Sequence, residues 1–200
     1  MKPTRRDFFK FFAGGATLLT IFKILSVNPI NAIKDIIRPP GAVEDHDFNL
    51  LCIRCGICLE VCPTKCIIFA GLNDGIAEIN TPKIDAEKGP CEFYRGRCKE
   101  EMLCSKHCPT GALQLVDKDE AKMGTVDFYP DYCLAYLGKE CVICGEMCPV
   151  PGAIETTEGL KPIFDNEKCV GCGTCVYSCP SIPKALSLSS KGSRRVKSLR

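Results

Sequence analysis

Cysteine is the residue type that most constrains what this chain can fold into. Seventeen of its 200 residues are cysteine, and sixteen of them fall into four clusters that each end in Cys-Pro. Cysteine at this density is typical of either a disulfide scaffold or a metal protein, so the spacing has to distinguish the two. Because the chain contains no Trp, large apolar side chains are few, and we expect whatever the cysteines bind to contribute to folding.

The first and fourth clusters share one tight spacing, C-x2-C-x2-C-x3-C-P. They consist of Cys52, Cys55, Cys58 and Cys62, and of Cys169, Cys172, Cys175 and Cys179. This is the ligand run of bacterial [4Fe–4S] ferredoxins, in which three thiolates hold one cluster and the fourth reaches its neighbour. We expect Gly56, Gly171 and Gly173 to keep the loops slim enough for backbone N–H groups to approach the sulfurs.

The second and third clusters are looser versions of the same pattern. They consist of Cys91, Cys98, Cys104 and Cys108, and of Cys133, Cys141, Cys144 and Cys148. Taken alone, the second cluster also suits zinc or disulfides, although zinc sites favour paired C-x2-C knuckles, which it lacks. Its Cys-Pro ending and its place in the repeat favour iron–sulfur, so the sequence predicts four [4Fe–4S] clusters held by these sixteen cysteines.

The seventeenth cysteine, Cys66, is left over. It aligns with Ala112, Ala153 and Ala185, the small residue that follows each Cys-Pro. We therefore predict a small buried packing residue that is not a ligand, because free cysteine behaves as a modest hydrophobe. An odd cysteine count and thiols three residues apart both fit a disulfide scaffold poorly.

Four repeats of about forty residues organise the chain. The units span about 49–80, 81–120, 121–160 and 161–188, and strand-like pieces at 83–85, 126–128 and 163–165 precede the later clusters. Alternating apolar residues predict two-stranded hairpins, with short helices around the fourth cysteine of each cluster. The fold class is α+β, with two ferredoxin-like units that hold two clusters each. Units can pair in sequence or nest, first with fourth; nesting is favoured because the two tightest motifs lie at the ends.

The N-terminal residues 1–32 have the composition of a signal peptide. A basic start precedes the apolar run 13–22, which is short for a membrane span, and the cut is expected after Ala32 although Ile30 is bulky for its position. The segment Thr4-Arg5-Arg6-Asp7-Phe8-Phe9-Lys10 resembles a twin-arginine export signal, with Phe9 where Leu is usual. The twin-arginine export machinery carries folded proteins, which predicts a periplasmic location, or membrane association if the signal stays uncleaved.

The remaining segments flank the cysteine domain, residues 49–188. Residues 33–48 have the composition of a linker, and Pro39-Pro40-Gly41 excludes a helix there. Residues 189–200 form a basic tail without acidic residues, which we expect to be disordered.

These features together resemble the ferredoxin-type proteins of periplasmic nitrate reduction and methylamine utilisation. The likeness rests on the export signal, the order of the four units and the spacing of the third, and runs to about Leu188. It implies an electron carrier of anaerobic respiration, between a membrane quinol dehydrogenase-type protein and a periplasmic redox enzyme or cytochrome c, without nucleic acid. The second unit departs from the nitrate branch, which opens with C-x2-C, because Phe93-Tyr94 stands there and Cys98 comes later. The terminal acceptor therefore stays open.

Three hypotheses follow. The first is an electron carrier with no substrate chemistry of its own. The second is a tightly bound electron-transfer subunit of an exported molybdenum oxidoreductase complex, which stable co-purification with a large subunit would reveal. The third is a structural metal or disulfide module, which would be colourless. Catalysis by a cysteine nucleophile lacks a base, since His46 lies in the linker and His107 directly precedes Cys108.

Overall fold

A computed structural model describes residues 36–98 and 101–197 of the chain. The predicted signal peptide, residues 1–32, lies outside the described residues and stays a prediction. Within the described residues, no helix combines the length and the apolar character that a bilayer crossing requires.

Short helices and strands make up the described part of the chain. The α-helices are α1 (Asp45–Leu51), α2 (Ile57–Glu60), α3 (Leu103–Lys106), α4 (Ile143–Glu146) and α5 (Thr174–Ser178). The strands are β1 (Ile67–Phe69), β2 (Pro82–Ile84), β3 (Thr125–Phe128), β4 (Ile154–Thr156), β5 (Pro162–Phe164) and β6 (Leu186–Ser189). Single 3-10 turns lie at Leu72–Asp74, Ile76–Glu78 and Pro130–Tyr132. The α+β class is confirmed.

Three antiparallel pairs of strands connect the units. β1 pairs with β2 and β4 pairs with β5, so the predicted hairpins are confirmed at these two places. β3 instead pairs with the distant β6, with Val126 opposite Leu188, which joins the start of the third unit to the end of the fourth. The isolated bridge between Ala42 and Leu113 joins the segment before the first unit to the end of the second. The prediction of a hairpin at β3 is therefore wrong, because alternation of apolar and polar residues identifies a strand but not the strand with which it pairs.

Four of the helices position cysteines. The predicted short helices are present, but each of α2 to α5 carries the third cysteine of its unit and ends one or two residues before the fourth. Gly56 and Gly173 begin α2 and α5 with φ of 78° each. Glycine suits this left-handed conformation, and it turns the chain sharply between the second and third cysteine.

The segment before the first cluster is packed against the rest of the chain. Arg38 has no exposed surface, and its guanidinium donates to the Thr81 hydroxyl at 2.7 Å and to the Pro82 carbonyl at 3.0 Å. It also forms an ion pair with Glu78 and lies 4.3 Å from the centroid of the Phe48 ring. The linker predicted at 33–48 is therefore wrong over residues 36–48, and the exclusion of a helix there is wrong from Asp45, where α1 begins. Its composition is that of a linker, but its partners lie about forty residues further along.

The described part of the basic tail, up to residue 197, is also held. The Val196 N–H donates to the Ala42 carbonyl at 3.0 Å, and the Glu44 N–H donates to the Val196 carbonyl at 3.2 Å. The Arg194 N–H donates to the Lys122 carbonyl at 2.8 Å. Disorder is therefore wrong for this part of the tail, because its backbone pairs with the segment before the first cluster.

Candidate metal centres

Four cavities bring the sixteen cysteines together in sets of four. In each set, three cysteines come from one unit and the fourth comes from the Cys-Pro of another. We number each cavity by the unit that supplies three. Cavity 1 is lined by Cys52, Cys55, Cys58 and Cys108, cavity 2 by Cys91, Cys98, Cys104 and Cys62, cavity 3 by Cys133, Cys141, Cys144 and Cys179, and cavity 4 by Cys169, Cys172, Cys175 and Cys148.

This grouping decides which units exchange their fourth cysteine. The first and second units exchange Cys62 and Cys108, whereas the third and fourth exchange Cys148 and Cys179. The preference for nested pairing is therefore wrong, and the units pair in sequence. The spacing of the cysteines in a motif depends only on the length of its ligand loop. The partner unit is determined instead by the strand pairs between adjacent units.

The cavities suit a bulky group rather than a single ion. They are alike in size, with empty volumes of about 380, 380, 360 and 350 Å³, part of which is open to solvent. The cysteines stand around this space together with apolar side chains such as Phe69 in cavity 1 and Phe164 in cavity 3. Among the residues described, no three His, Cys, Asp or Glu side chains meet as one metal ion would require. Four thiolates around a dry space are the donor set of a [4Fe–4S] cluster.

Three contacts place the cavities next to one another. Besides burial, a charge on Cys58 in cavity 1 would raise the pKa of Cys104 in cavity 2, and a charge on Cys144 in cavity 3 would raise the pKa of Cys175 in cavity 4. Between cavities 2 and 4, the Cys91 N–H donates to the Cys172 carbonyl at 2.8 Å. The cavities therefore follow one another in the order 1, 2, 4, 3.

Backbone N–H groups point at several of the sulfurs. Burial acts to raise the pKa of Cys108, but hydrogen bonds from the backbone of Leu113, Thr110 and Gly111 outweigh it and lower the pKa. In the loop of cavity 4, burial outweighs the hydrogen bond from the Gly171 backbone and raises the pKa of Cys169. Such N–H donors stabilise a thiolate and, in iron–sulfur proteins, adjust the reduction potential.

Hydroxyl groups near the sulfurs are the functional feature that our sequence reading missed. A Ser or Thr two residues after a cysteine lies close to its sulfur in all four cavities. The distances from Sγ to the hydroxyl oxygen are 3.6 Å for Cys62 and Thr64, 3.7 Å for Cys108 and Thr110, 3.4 Å for Cys172 and Thr174, and 3.0 Å for Cys179 and Ser181. The sequence carries this signal as C-x-[ST], with the hydroxyl residue two positions after each of these four cysteines.

Most of the buried thiols resist ionisation without a bound cation. Burial, followed by the charges of Cys52, Cys55 and Cys108, raises the pKa of Cys58 to about 12. Burial is also the main reason why the pKa of Cys104 rises to about 12. Since metal ligands are thiolates, binding of iron to these sites would release protons and would stabilise the folded chain.

Cys66 lies in the wall of cavity 2, beside the four cysteines assigned to it. Its side chain is 1% exposed, so the predicted burial is confirmed. Its Sγ is 3.6 Å from the Sγ of Cys62. The Cys62 hydrogen bond acts to lower the pKa of Cys66, but contact with Cys91 and burial outweigh it and raise the pKa to about 12. All seventeen cysteines are free thiols in this structure.

Comparison with known proteins defines the class to which these sites belong. Protein-family models described as "4Fe-4S binding domain" match residues 49–68 and 160–181, within the first and fourth units. Together with the cysteine-lined cavities, these matches define a ferredoxin-type iron–sulfur protein.

Relatives along nearly the whole chain identify the family. The methylamine utilization ferredoxin-type protein MauM of Methylophilus methylotrophus is 35% identical over 98% of this chain and 93% of its own length. MauM of Paracoccus denitrificans is 32% identical over 97% of this chain and 94% of its own length. Ferredoxin-type protein NapG of Escherichia coli is 32% identical over 88% of this chain and 81% of its own length. The chain belongs to the MauM/NapG family of ferredoxin-type electron-transfer proteins.

Proposed function

We propose that this protein is an exported electron carrier with four [4Fe–4S] clusters, one in each cavity. One observation carries the proposal: sixteen cysteines line four cavities of similar size, four to a cavity. Near-complete coverage of the MauM relatives supports a carrier of that type, without substrate chemistry of its own.

The chain's residues would hold the clusters in two ferredoxin-like units. In the first unit pair, Cys62 and Cys108 cross between cavities 1 and 2, so each cavity is closed by the neighbouring Cys-Pro turn. In the other pair, Cys148 and Cys179 do the same for cavities 3 and 4. When bound, a [4Fe–4S] cluster supplies a site that gains or loses one electron. The protein contributes the thiolates, the N–H and hydroxyl donors, and a dry surrounding.

The order of the cavities supports a continuous route through the molecule. Cavities 1 and 3 stand at the two ends, and the junction in the middle is the backbone hydrogen bond from Cys91 to Cys172. Close backbone contact at this junction requires small residues. A Cβ on Gly173, in the loop of cavity 4, would lie 2.7 Å from the Cβ of Ala86 in the second unit.

The two end cavities reach the surface, which suits exchange of electrons with partners. At cavity 1, Cys55 is exposed and Ile53 is 64% exposed. Near cavity 3, Tyr132, Tyr136 and Leu137 are exposed. We propose that one end receives electrons from a membrane quinol dehydrogenase-type protein and that the other serves a periplasmic redox enzyme or cytochrome c. The names of the MauM relatives place those proteins in methylamine utilisation.

The periplasmic location belongs to the proposal and is supported by the sequence alone. Thr4-Arg5-Arg6 begins a segment that resembles a twin-arginine signal. Export in the folded state would let the clusters be inserted in the cytoplasm, where the thiols stay reduced.

Anaerobic purification with metal analysis tests the proposal. We expect about sixteen irons per chain and, on stepwise reduction, EPR signals broadened by interaction between neighbouring clusters. Fewer than about eight irons, zinc in place of iron, or a colourless protein would contradict it.

A further inference from the structure

Cavity 2 differs from the other three cavities in its number of thiols. Five cysteines line it, because Cys66 joins the three cysteines of the second unit and Cys62. Cys66 therefore faces the same space as the four cysteines assigned to this site, and it also contacts Cys91 through its sulfur. Cavity 2 therefore contains one sulfur more than a four-thiolate site uses.

The repeat isolates what is special about Cys66. Its counterparts Ala112, Ala153 and Ala185 are each 2% exposed, against 1% for Cys66. The position is thus equally buried in all four units, and alanine fills it in three of them. Only in the first unit does the side chain carry a sulfur.

The position of that sulfur matches the position of a ligand. The Sγ atoms of Cys62 and Cys66 are 3.6 Å apart, the distance of two sulfurs in contact. A displacement of the same order would bring Cys66 to where Cys62 stands, and loss of the Cys62 side chain would vacate the space for it. The Cys66 carbonyl accepts the Asp85 N–H at 2.8 Å, so the backbone is anchored and the side chain would make the adjustment.

We propose that Cys66 is a substitute ligand for the cluster of cavity 2. When the Cys62 sulfur is missing, the Cys66 thiol releases its proton to solvent and its thiolate forms the iron–sulfur bond that Cys62 forms otherwise. The number of thiolate ligands, and therefore the charge of the site, stays the same. This inference rests on the proposed function, because it assumes that cavity 2 holds a cluster.

Removal of the fourth ligand from each of two matched sites tests the proposal. Cys62→Ala has Cys66 nearby, whereas the control Cys108→Ala has only Ala112 at the equivalent position. We expect Cys62→Ala to retain about sixteen irons per chain, while Cys108→Ala and the double variant Cys62→Ala/Cys66→Ala each fall to about twelve. Cys66→Ala alone keeps the full iron content.

Introducing the extra cysteine at the equivalent position of cavity 1 tests the proposal independently of cavity 2. Adding Ala112→Cys to Cys108→Ala is expected to restore iron to about sixteen, with the EPR signal of the cluster in cavity 1 regained. The inference is overturned if Cys62→Ala loses as much iron as the double variant. It is equally overturned if Cys62→Ala yields no folded protein while Cys108→Ala does.

The wild-type protein separates this inference from the proposed function. Full iron in the wild type, with loss in Cys62→Ala, overturns the substitute ligand alone. Fewer than about eight irons in the wild type overturns the proposed function, and with it the inference.

Discussion

At the scale of the residue, the distance between the cysteine sulfur and the neighbouring hydroxyl oxygen differs among the four sites. Ser181 has the shortest contact, 3.0 Å from its oxygen to the Cys179 sulfur. The same oxygen accepts the Ala185 N–H at 3.0 Å. A sulfur that binds iron is a thiolate and can only accept, so the Ser181 hydroxyl would donate to it and would stabilise the additional negative charge of a reduced cluster.

We predict that Ser181→Ala lowers the reduction potential of the cluster in cavity 3. If the hydrogen bond favours the reduced form by about 1 kcal/mol, the loss is about 40 mV for a one-electron couple. Redox titration followed by EPR measures it. Val150→Ala is the matched control, because Val150 stands two residues after Cys148 and has no hydroxyl. An unchanged reduction potential in Ser181→Ala would show that the hydroxyl does not stabilise the reduced cluster.

The residues of the site divide into those that the sequence identifies and those that it does not. The sixteen cysteines were identifiable because their spacing follows from the ligand geometry of one small group. The place of Cys66 in the wall of cavity 2 was not, because the repeat predicts burial but gives no distance between two sulfurs. Arg38 was read as part of a linker, since its partner Glu78 is forty residues away.

At the scale of the element, the ligand loops meet where glycine permits contact. Gly171 has φ of 70° and lies against the backbone of Gly124. This contact brings the loop of cavity 4 against the start of the third unit, just before β3, and the Met123 N–H donates to the Val170 carbonyl at 2.9 Å in the same place. A side chain at Gly171 would therefore separate the two segments.

We predict that Gly171→Ala destabilises the protein more than Gly138→Ala does. Gly138 has φ of 80° and no atom within 4 Å of an added Cβ, so the control carries only the left-handed strain of about 1–2 kcal/mol. Gly171→Ala adds a clash that typically costs about 1–3 kcal/mol. Guanidinium denaturation under argon, followed by cluster absorbance, compares the two variants. Equal loss of stability would show that the close approach is dispensable.

The short helices and local hairpins were easier to predict than the pairing between distant segments of the chain. The cysteine spacing locates α2 to α5, because each of these short helices contains the third cysteine of its unit and ends before the fourth. The pairing of β3 with β6 depends on contact between segments about sixty residues apart, which alternation does not encode. The same holds for the tail, where Val196 pairs beside Val43.

At the scale of the whole molecule, sequential pairing produces a single row of sites. The first two units form cavities 1 and 2, the last two form cavities 3 and 4, and cavities 2 and 4 meet through Cys91 and Cys172. At one end of the row Cys55 is exposed, and at the other end Tyr132 is exposed beside the buried Cys133. A protein built in this way can contact one partner at each end.

The most direct measurement of this account is anomalous diffraction at the iron edge, from crystals grown without oxygen. We predict four iron sites per chain, in the row of cavities 1, 2, 4 and 3, with Cys62 and Cys108 exchanged between the first two. Zinc at any of the sites, fewer than four iron sites, or a site ligated jointly by cysteines of the first and fourth units would contradict the account.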